Sequence, residues 1–181
     1  MDIIYILDSS ALFSVQQVLT FYSPTTTEST SLFYTPPDII AELKDQMSKL
    51  RIESMIASQT LLVKDTEQNY SIIVGQYCHE IGNTSRLSSP DKAVLSLALQ
   101  EKEKNPESTV IVLTDDFEIQ NTAKRMNIKF KPIRTKGIKY SAQFKRVCQA
   151  CGENLLDDEE SCPECGSTKI LKKKRKIYSK K

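Results

Sequence analysis

The sequence has a single histidine, His79, and no glycine-rich phosphate loop among its 181 residues. One imidazole excludes a ribonuclease that uses two histidines as general acid and general base. Without a Gly-x-x-x-x-Gly-Lys-Ser/Thr loop, nucleotide hydrolysis at a Walker site is excluded as well. His79 lies on the outer part of a predicted helix, and we interpret it as a surface residue.

Long apolar stretches are also absent. No segment reaches the roughly 18 apolar residues of a membrane span, and the N-terminus has neither the basic region nor the apolar stretch of a signal peptide. Most of the cysteines are paired in a pattern that suits metal binding, which indicates a reducing compartment. We therefore expect a cytoplasmic protein.

The net charge is small, but the charged residues are unevenly placed. The formal net charge is +2, yet the chain has eight Lys or Arg and no acid from Lys169 onward, and six acids without a base from Glu153 to Glu164. A basic tail beside a small metal module suggests a polyanionic partner. The alternative is a tail that only keeps the protein soluble.

Four of the five cysteines form two Cys-x-x-Cys pairs, each followed by a glycine. This spacing lets four thiolates meet around one ion, and the glycine accepts the positive φ that the turn needs. Two disulfides or two separate redox pairs are the alternatives, and the spacing favours a structural zinc ribbon whose folding depends on its metal. The expected zinc ligands are Cys148, Cys151, Cys162 and Cys165.

Upstream of the ribbon, apolar strands alternate with helices. Ile3–Leu7 and Thr109–Leu113 are unbroken β-prone runs, typical of strands buried on both faces of a parallel sheet. The segment from Ser89 to Leu99 predicts a buried helix, and Ile39, Ile40, Leu43, Met47 and Leu50 predict one apolar helical face. The pattern indicates an α/β sandwich with a mostly parallel central sheet.

Acidic residues follow both buried strands. Asp8 ends the first, and Asp115 and Asp116 end the other, where ligands bind in such sheets. Glu42 and Asp91 are expected in the first turns of helices that start from the same sheet edge. Each acid has a simpler reading as a helix cap, a first-turn acid or a solvated residue, but together they predict a site for a hard divalent cation. Phosphodiester cleavage by metal-activated water is the chemistry that remains.

These residues resemble a known family. Ile6-Leu7-Asp8-Ser9-Ser10-Ala11, Pro37 to Leu43, Ser89 to Leu95 and Leu113 to Phe117 are similar to the motifs of PIN-domain nucleases. With the zinc ribbon behind them, they resemble the Nob-type endoribonucleases, which mature the 3′ end of small-subunit ribosomal RNA during ribosome assembly. The resemblance implies a three-layer PIN-like sandwich, Mg²⁺ or Mn²⁺ dependence, and contact with assembling small subunits and their assembly factors.

The resemblance also implies site residues and boundaries. Asp8, Glu42 and Asp91 take the family's metal-binding roles, while the fourth position is open between Asp116 and Asp115. We expect a nuclease domain at 1–134, a basic and aromatic linker at 135–147, the ribbon at 148–170 and a basic tail at 171–181. Linker and tail together supply the expected RNA-binding residues: Lys136, Lys139, Tyr140, Phe144, Lys145, Arg146, Lys172, Lys173, Lys174 and Arg175.

Two other functions remain open. One is a non-catalytic RNA-binding assembly factor that keeps a PIN fold as a scaffold. The other is a toxin-like PIN ribonuclease, which the ribbon and the basic tail make less fitting. All the acidic positions are filled, which favours a metal-dependent endoribonuclease acting on precursor small-subunit ribosomal RNA.

Overall fold

The computed structural model describes residues 2–22, 31–80, 82, 86–138, 141–156 and 159–177, with the backbone alone at residues 21, 141–144 and 175–177. The strands are β1 (Ile3–Leu7), β2 (Ser31–Thr35), β3 (Leu62–Val63), β4 (Thr109–Leu113), β5 (Lys129–Lys131), β6 (Ser141–Cys148), β7 (Asn154–Leu155) and β8 (Ile170–Ile177). The helices are α1 (Ser9–Phe13), α2 (Val15–Tyr22), α3 (Pro37–Glu42), α4 (Gln46–Ala57), α5 (Gln68–Glu80), α6 (Ser89–Lys104) and α7 (Phe117–Arg125).

The first five strands form one parallel sheet in the order β3-β2-β1-β4-β5. Strand β1 lies in the centre and pairs with β4 along its whole length, from Ile3 opposite Thr109 to Leu7 opposite Leu113. Residues 4–7 and 110–113 are buried, because neighbouring strands and helices cover them. The parallel sheet predicted from the sequence is confirmed.

The strand order reverses between β1 and β4. The chain adds β2 and β3 on one side of β1, then crosses over and adds β4 and β5 on the other side. Right-handed connections in such an order place helices on both faces of the sheet. The crevice at a reversal of this kind is the usual ligand site of open α/β sheets, and here Asp8, Asp115 and Asp116 follow the two strands that border it.

The helices bury the faces that their sequences predict, with one exception. Helix α6 buries every residue from Val94 to Ala98, and α5 buries Tyr70, Val74 and Cys78 at four-residue spacing. No helix in the described ranges combines the length and apolarity needed to cross a membrane.

The exception is the apolar face predicted for residues 39–50. Ile39 and Leu43 are buried, but Met47 and Leu50 are 65% and 62% exposed, so the prediction was wrong for these two residues. The helix ends at Glu42, Leu43 is extended, and the Asp45 side chain accepts from Ser48 N to begin α4. A break of this kind resets the helical phase, so spacing carried across it no longer predicts one face.

A buried acid joins the outer strand β3 to helix α6. Glu101 is fully buried, and its Oε1 lies 2.7 Å from Lys64 Nζ, just after β3. Asn105 Nδ2 donates to Oε2 of Glu101, and Gln100 Oε1 accepts from Glu67 N at 2.9 Å. These bonds fix residues 64–67 on α6, because a buried charge requires partners.

The last three strands form a separate antiparallel sheet in the order β7-β6-β8. The sequence analysis treated residues 135–147 as a linker and 171–181 as a tail. In the structure, most of both stretches pairs as two strands, from Ser141 opposite Ile177 to Cys148 opposite Ile170. The expected linker and tail are therefore extensions of the ribbon.

Leu43 and Leu50 lie on either side of the break between α3 and α4, and one is buried while the other is exposed. Leu43→Ala removes a side chain that is 2% exposed, so we expect a loss of about 2–5 kcal/mol in the free energy of unfolding. Leu50→Ala removes a side chain that is 62% exposed and should change it by less than about 0.5 kcal/mol. Urea denaturation measures both. Equal losses for the two variants would contradict the described break.

Candidate active site and metal centre

Asp8 lies at the centre of the sheet edge. It directly follows β1, is 2% exposed, and caps α1 by accepting from Ala11 N at 2.9 Å. Its Oδ1 also accepts from Ser10 Oγ at 2.7 Å, and its Oδ2 accepts from Thr114 Oγ1 across the gap to β4. The carboxylate is thus held from both strands that border the reversal.

The surroundings of Asp8 disfavour its negative charge. Burial raises the pKa of Asp8, hydrogen bonds from Thr114, Ala11 and Ser10 lower it, and the negative charge of Asp116 raises it again, so that the net pKa is raised. A positive ion at this edge would reverse the effect by favouring the ionised form. Carboxylate oxygens are ligands that suit a hard divalent cation, so the donor set fits Mg²⁺ or Mn²⁺.

Asp116 and Asp8 share Thr114 as a neighbour. Thr114 Oγ1 accepts from Asp116 N at 3.0 Å while it donates to Asp8. The Asp116 side chain is exposed and caps α7, with Oδ1 accepting from Glu118 N at 2.6 Å and Ile119 N at 3.1 Å. The contact between Thr114 and Asp8 depends on the pairing of β1 with β4, so local sequence did not reveal it.

Asp115 faces a different part of the chain. Its Oδ1 accepts from the backbone N–H groups of Ile133, Arg134 and Thr135 at 3.0–3.1 Å, and its Oδ2 accepts from Arg134 Nε at 3.3 Å. Burial opposes ionisation of Asp115, but these bonds outweigh it and lower the pKa to about 2. Asp115 therefore ties the segment after β5 to the end of β4.

Glu42 and Asp91 come from helices that contact one another, since α3 touches both α1 and α6. Asp91 is in the first turn of α6, as expected, where it forms a capping box: its Oδ2 accepts from Ser88 N at 2.8 Å, and its N donates to Ser88 Oγ. Glu42 is the last residue of α3 and is exposed, so its expected first-turn position was wrong. Its helix is only six residues long and begins at Pro37.

Asp8 and Asp116 are neighbours at the sheet edge, but the acids form no closed cluster in the described part of the chain. Among the residues described, only the four paired cysteines bring three or more ligand atoms within 4.8 Å of one another. Capping bonds hold Asp8, Asp91 and Asp116 to their own helices, and carboxylates of like charge repel. The simpler interpretations of Asp8 as a helix cap and of Asp91 as a first-turn acid are thus realised in the structure, whereas Asp116 is a helix cap and not the first-turn acid that was expected.

The cysteine cluster has the form that the sequence predicts. Cys148 Sγ lies 3.5 Å from Cys165 Sγ, and Cys151 Sγ lies 3.5 Å from Cys162 Sγ. Four ligands held at about 2.3 Å from one ion would be about 3.8 Å apart, so the sulfur positions fit a tetrahedral ion. Gly152 and Gly166 have φ values of 82° and 69°, and each N–H closes its knuckle on the first cysteine's carbonyl.

Thiolate formation is supported at the first cysteine. Backbone N–H groups of Cys151 and Ala150 favour the thiolate of Cys148 and lower the pKa of this thiol to about 6. At Cys151 a hydrogen bond from the Glu153 backbone lowers the pKa, but the neighbouring thiols outweigh it and raise the pKa to about 12. A lowered pKa favours the deprotonated form that metal ions bind. The cluster could therefore hold a zinc ion.

Basic side chains concentrate on strands β6 and β8. Lys145 faces Lys173 and Arg146 faces Lys172 across the pair. Lys136, Lys145 and Lys172 to Lys174 are exposed, whereas Arg146 donates to the Leu156 carbonyl at 2.8 Å. Lys139, Tyr140 and the side chains of Phe144 and Arg175 lie outside the described residues. His79 is exposed on α5, as expected.

Comparison with known proteins agrees with this arrangement. Residues 5–100 match the family described as the PIN domain of ribonuclease. The chain is 33% identical over 144 residues to Endoribonuclease Nob1 of Methanothermobacter thermautotrophicus, covering 78% of this chain and 82% of the relative. Endoribonuclease Nob1 of Archaeoglobus fulgidus is 29% identical over 170 residues, or 94% of this chain and 91% of the relative.

A relative with a different name is also similar. Ribonuclease VapC1 of Thermoplasma acidophilum is 29% identical over 166 residues, or 92% of this chain and 76% of the relative. The names agree on RNA cleavage, and the sheet edge supplies acids of the kind that such chemistry uses. The match of residues 5–100 and the 33% identity over most of both chains show that this chain belongs to the PIN-domain ribonucleases, within the Nob1 endoribonuclease family.

Proposed function

We propose that this chain is a divalent-metal-dependent endoribonuclease that cleaves precursor small-subunit ribosomal RNA to form its mature 3′ end during ribosome assembly. The observation that best supports nuclease activity is the buried Asp8 at the strand reversal, with Asp116 beside it. Membership of the Nob1 family supports the choice of RNA. Assembling small subunits and their assembly factors are the proposed partners.

The proposed catalytic site consists of Asp8, Glu42, Asp91 and Asp116, which would hold Mg²⁺ or Mn²⁺. When bound, the ion supplies an activated water and offsets charge on the leaving oxygen. Asp8 is the fixed point of the site, because bonds from both strands set its position. Thr114 is a positioning residue, since it contacts both Asp8 and the backbone of Asp116.

Contacts favour Asp116 over Asp115 as the fourth ligand. Both oxygens of Asp115 accept hydrogen bonds from the segment 133–135, so a metal ion would have to replace them. In Asp116, one oxygen, Oδ1, accepts both capping bonds. The negative charge of Asp116 also raises the pKa of Asp8, so the two carboxylates are close enough to interact. We assign Asp115 to holding the segment after β5, and Asp116 to the metal.

Strands β6 and β8 form the proposed RNA-binding surface. Like charges that face each other across a strand pair destabilise it, and this pair places Lys145 against Lys173 and Arg146 against Lys172. A phosphate backbone would offset that repulsion and release counterions. Successive side chains of a strand alternate between its faces, so the two basic pairs lie on opposite faces of this strand pair. Lys136, Lys174 and the expected contacts Lys139, Tyr140, Phe144 and Arg175 are the other residues proposed to contact the RNA. The four cysteines are proposed to hold a structural Zn²⁺ that fixes its base.

Replacing single acids tests the catalytic site. Asn is as good a helix cap as Asp, so Asp8→Asn and Asp116→Asn should fold, but each removes a charge that the metal needs. We expect the rate of cleavage of a precursor RNA spanning the mature 3′ end to fall by at least about 100-fold. This is the largest loss that is typical for residues that only support a metal ligand, and a direct ligand should cost at least as much. Rates are measured with Mn²⁺ and with chelator.

Two aspartates serve as controls for that experiment. Asp45 caps α4 as Asp116 caps α7, so Asp45→Asn should cleave like the wild type. Asp115→Asn should lose stability, by about 1–3 kcal/mol for a weakened set of hydrogen bonds to a charged group, while the folded fraction keeps cleaving. Near wild-type cleavage by Asp8→Asn would mean that the site is wrongly assigned.

Neutralising the ribbon tests the RNA-binding surface. Each of Lys172→Gln and Lys173→Gln should weaken RNA binding and reduce the slope of log affinity against log salt by about 0.7, the value for one phosphate contact on a single strand. Fluorescence anisotropy at several salt concentrations measures both. Lys49→Gln, on the exposed side of α4, is the matched control. An unchanged slope in the ribbon variants would place the RNA elsewhere.

Removing one sulfur ligand tests the zinc site. Cys151→Ser should lose the bound Zn²⁺ and the order of β6–β8, while the α/β part, which has its own core, still unfolds cooperatively. Cys78→Ala alters the one cysteine outside the cluster, buried on α5, and should keep one zinc per chain. Zinc content and circular dichroism are the measurements. Loss of all cooperative structure in Cys151→Ser would show that the two parts do not fold independently.

A further inference from the structure

A cavity of about 330 Å³ opens beside Glu42, one of the acids of the proposed catalytic site. It is lined by Ser9, Phe13, Ala41, Glu42, Leu43 and Lys44. Ser9 and Phe13 are four residues apart and therefore lie on the same side of α1. The other lining residues belong to the end of α3 and the turn after it. The cavity thus adjoins the helix that Asp8 caps.

Phe13 is unusually exposed for its place in the fold. Its neighbours Ala11 and Leu12 are buried, but the Phe13 ring is 52% exposed. Single exposed apolar residues are common and need no explanation. Among the aromatic side chains that the structure describes, however, only Phe13 and Phe117 are exposed, and Phe117 directly follows Asp116. Both exposed rings therefore lie beside the proposed acidic site.

The lining of the cavity suits a flat, uncharged, polar ring. Phe13 offers an aromatic face, Ala41 offers an apolar contact, and Ser9 and Glu42 offer hydrogen-bonding groups. An RNA phosphate would be repelled by Glu42, but a neutral base would not be, and its amino group could donate to a carboxylate. The exposed Lys44 could pair with a phosphate next to that base.

We propose that this cavity is a nucleobase subsite, in which one unpaired base of the RNA substrate stacks on Phe13. The proposal rests on the proposed function, because it takes the substrate to be RNA. It adds the residue that holds an unpaired base, since a base that is stacked in a duplex is not free to stack on Phe13. Stacking on aromatic side chains accepts any base, so the subsite reads strandedness and not sequence.

Binding is tested in the full-length Asp8→Asn protein without divalent ions, so that cleavage does not interfere. The probes are short single-stranded RNAs with 2-aminopurine at successive positions, because this fluorescent base is quenched when it stacks. We expect quenching at one position, and Phe13→Ala should abolish it and weaken binding about 5–150-fold. Phe13→Trp should preserve both, and Phe13→Leu should behave like Phe13→Ala, because it keeps apolar area without a stacking face.

Two controls make the result specific. Ile72 on α5 is also 52% exposed, so Ile72→Ala should leave affinity and quenching unchanged. The same RNA paired with its complement should bind wild type and Phe13→Ala equally. Equal affinity and quenching of single strands by Phe13→Ala and wild type would overturn the subsite, as would wild-type behaviour of Phe13→Leu.

The subsite and the proposed function can fail separately. Base quenching that depends on Phe13, in a protein whose wild type does not cleave precursor RNA with Mn²⁺, would reject the proposed function and keep the subsite. Cleavage of single-stranded RNA by Phe13→Ala with wild-type kcat/KM would reject the subsite and keep the nuclease. Thermal unfolding of each Phe13 variant shows that it is folded, as expected for a ring that is half exposed.

Discussion

The burial of one carboxylate, Asp8, is the constraint on which the active edge depends. A buried polar group must have hydrogen-bond partners, and Asp8 finds them on both sides of the strand reversal: Ser10 and Ala11 on α1, and Thr114 after β4. Ser10 Oγ in turn accepts from Asp115 N at 2.9 Å. Satisfying one buried acid therefore fixes the ends of the two central strands and the starts of α1 and α7.

The burial of Asp8 also has an electrostatic consequence. Burial and the neighbouring Asp116 raise the pKa of Asp8 although its hydrogen bonds lower it, and the cation that we propose would relieve this unfavourable interaction. The ribbon has the opposite imbalance, because strands β6 and β8 bring basic residues face to face. The sheet edge thus has an excess of negative charge that suits a cation, and the ribbon has an excess of positive charge that suits a polyanion. A metal-dependent nuclease acting on RNA needs a site of each kind.

Features encoded within a few residues could be predicted from the sequence. Strands β1 and β4 are β-prone at every position, and each cysteine knuckle is defined by two cysteines and the glycine after them. Features that depend on distant partners could not be predicted. The prediction that Met47 and Leu50 belong to a buried apolar face was wrong because Asp45 begins a new helix. Nothing in the local sequence indicated that residues 141–148 would pair with residues 170–177. Thr114 contacts Asp8 only when β4 lies beside β1.

The acids illustrate why the site was harder to predict than the fold. Asp8, Asp91 and Asp116 all cap helices, as their sequence positions alone would suggest. A helix cap at the carboxyl end of a strand places a carboxylate at the edge where ligands bind, so capping and metal binding favour the same residue type at the same position. Sequence spacing cannot separate the two roles. Asp115 and Asp116 are neighbours of the same type, and only the three N–H groups of residues 133–135 that face Asp115 distinguish the acid that holds this segment from the one that we propose as a metal ligand.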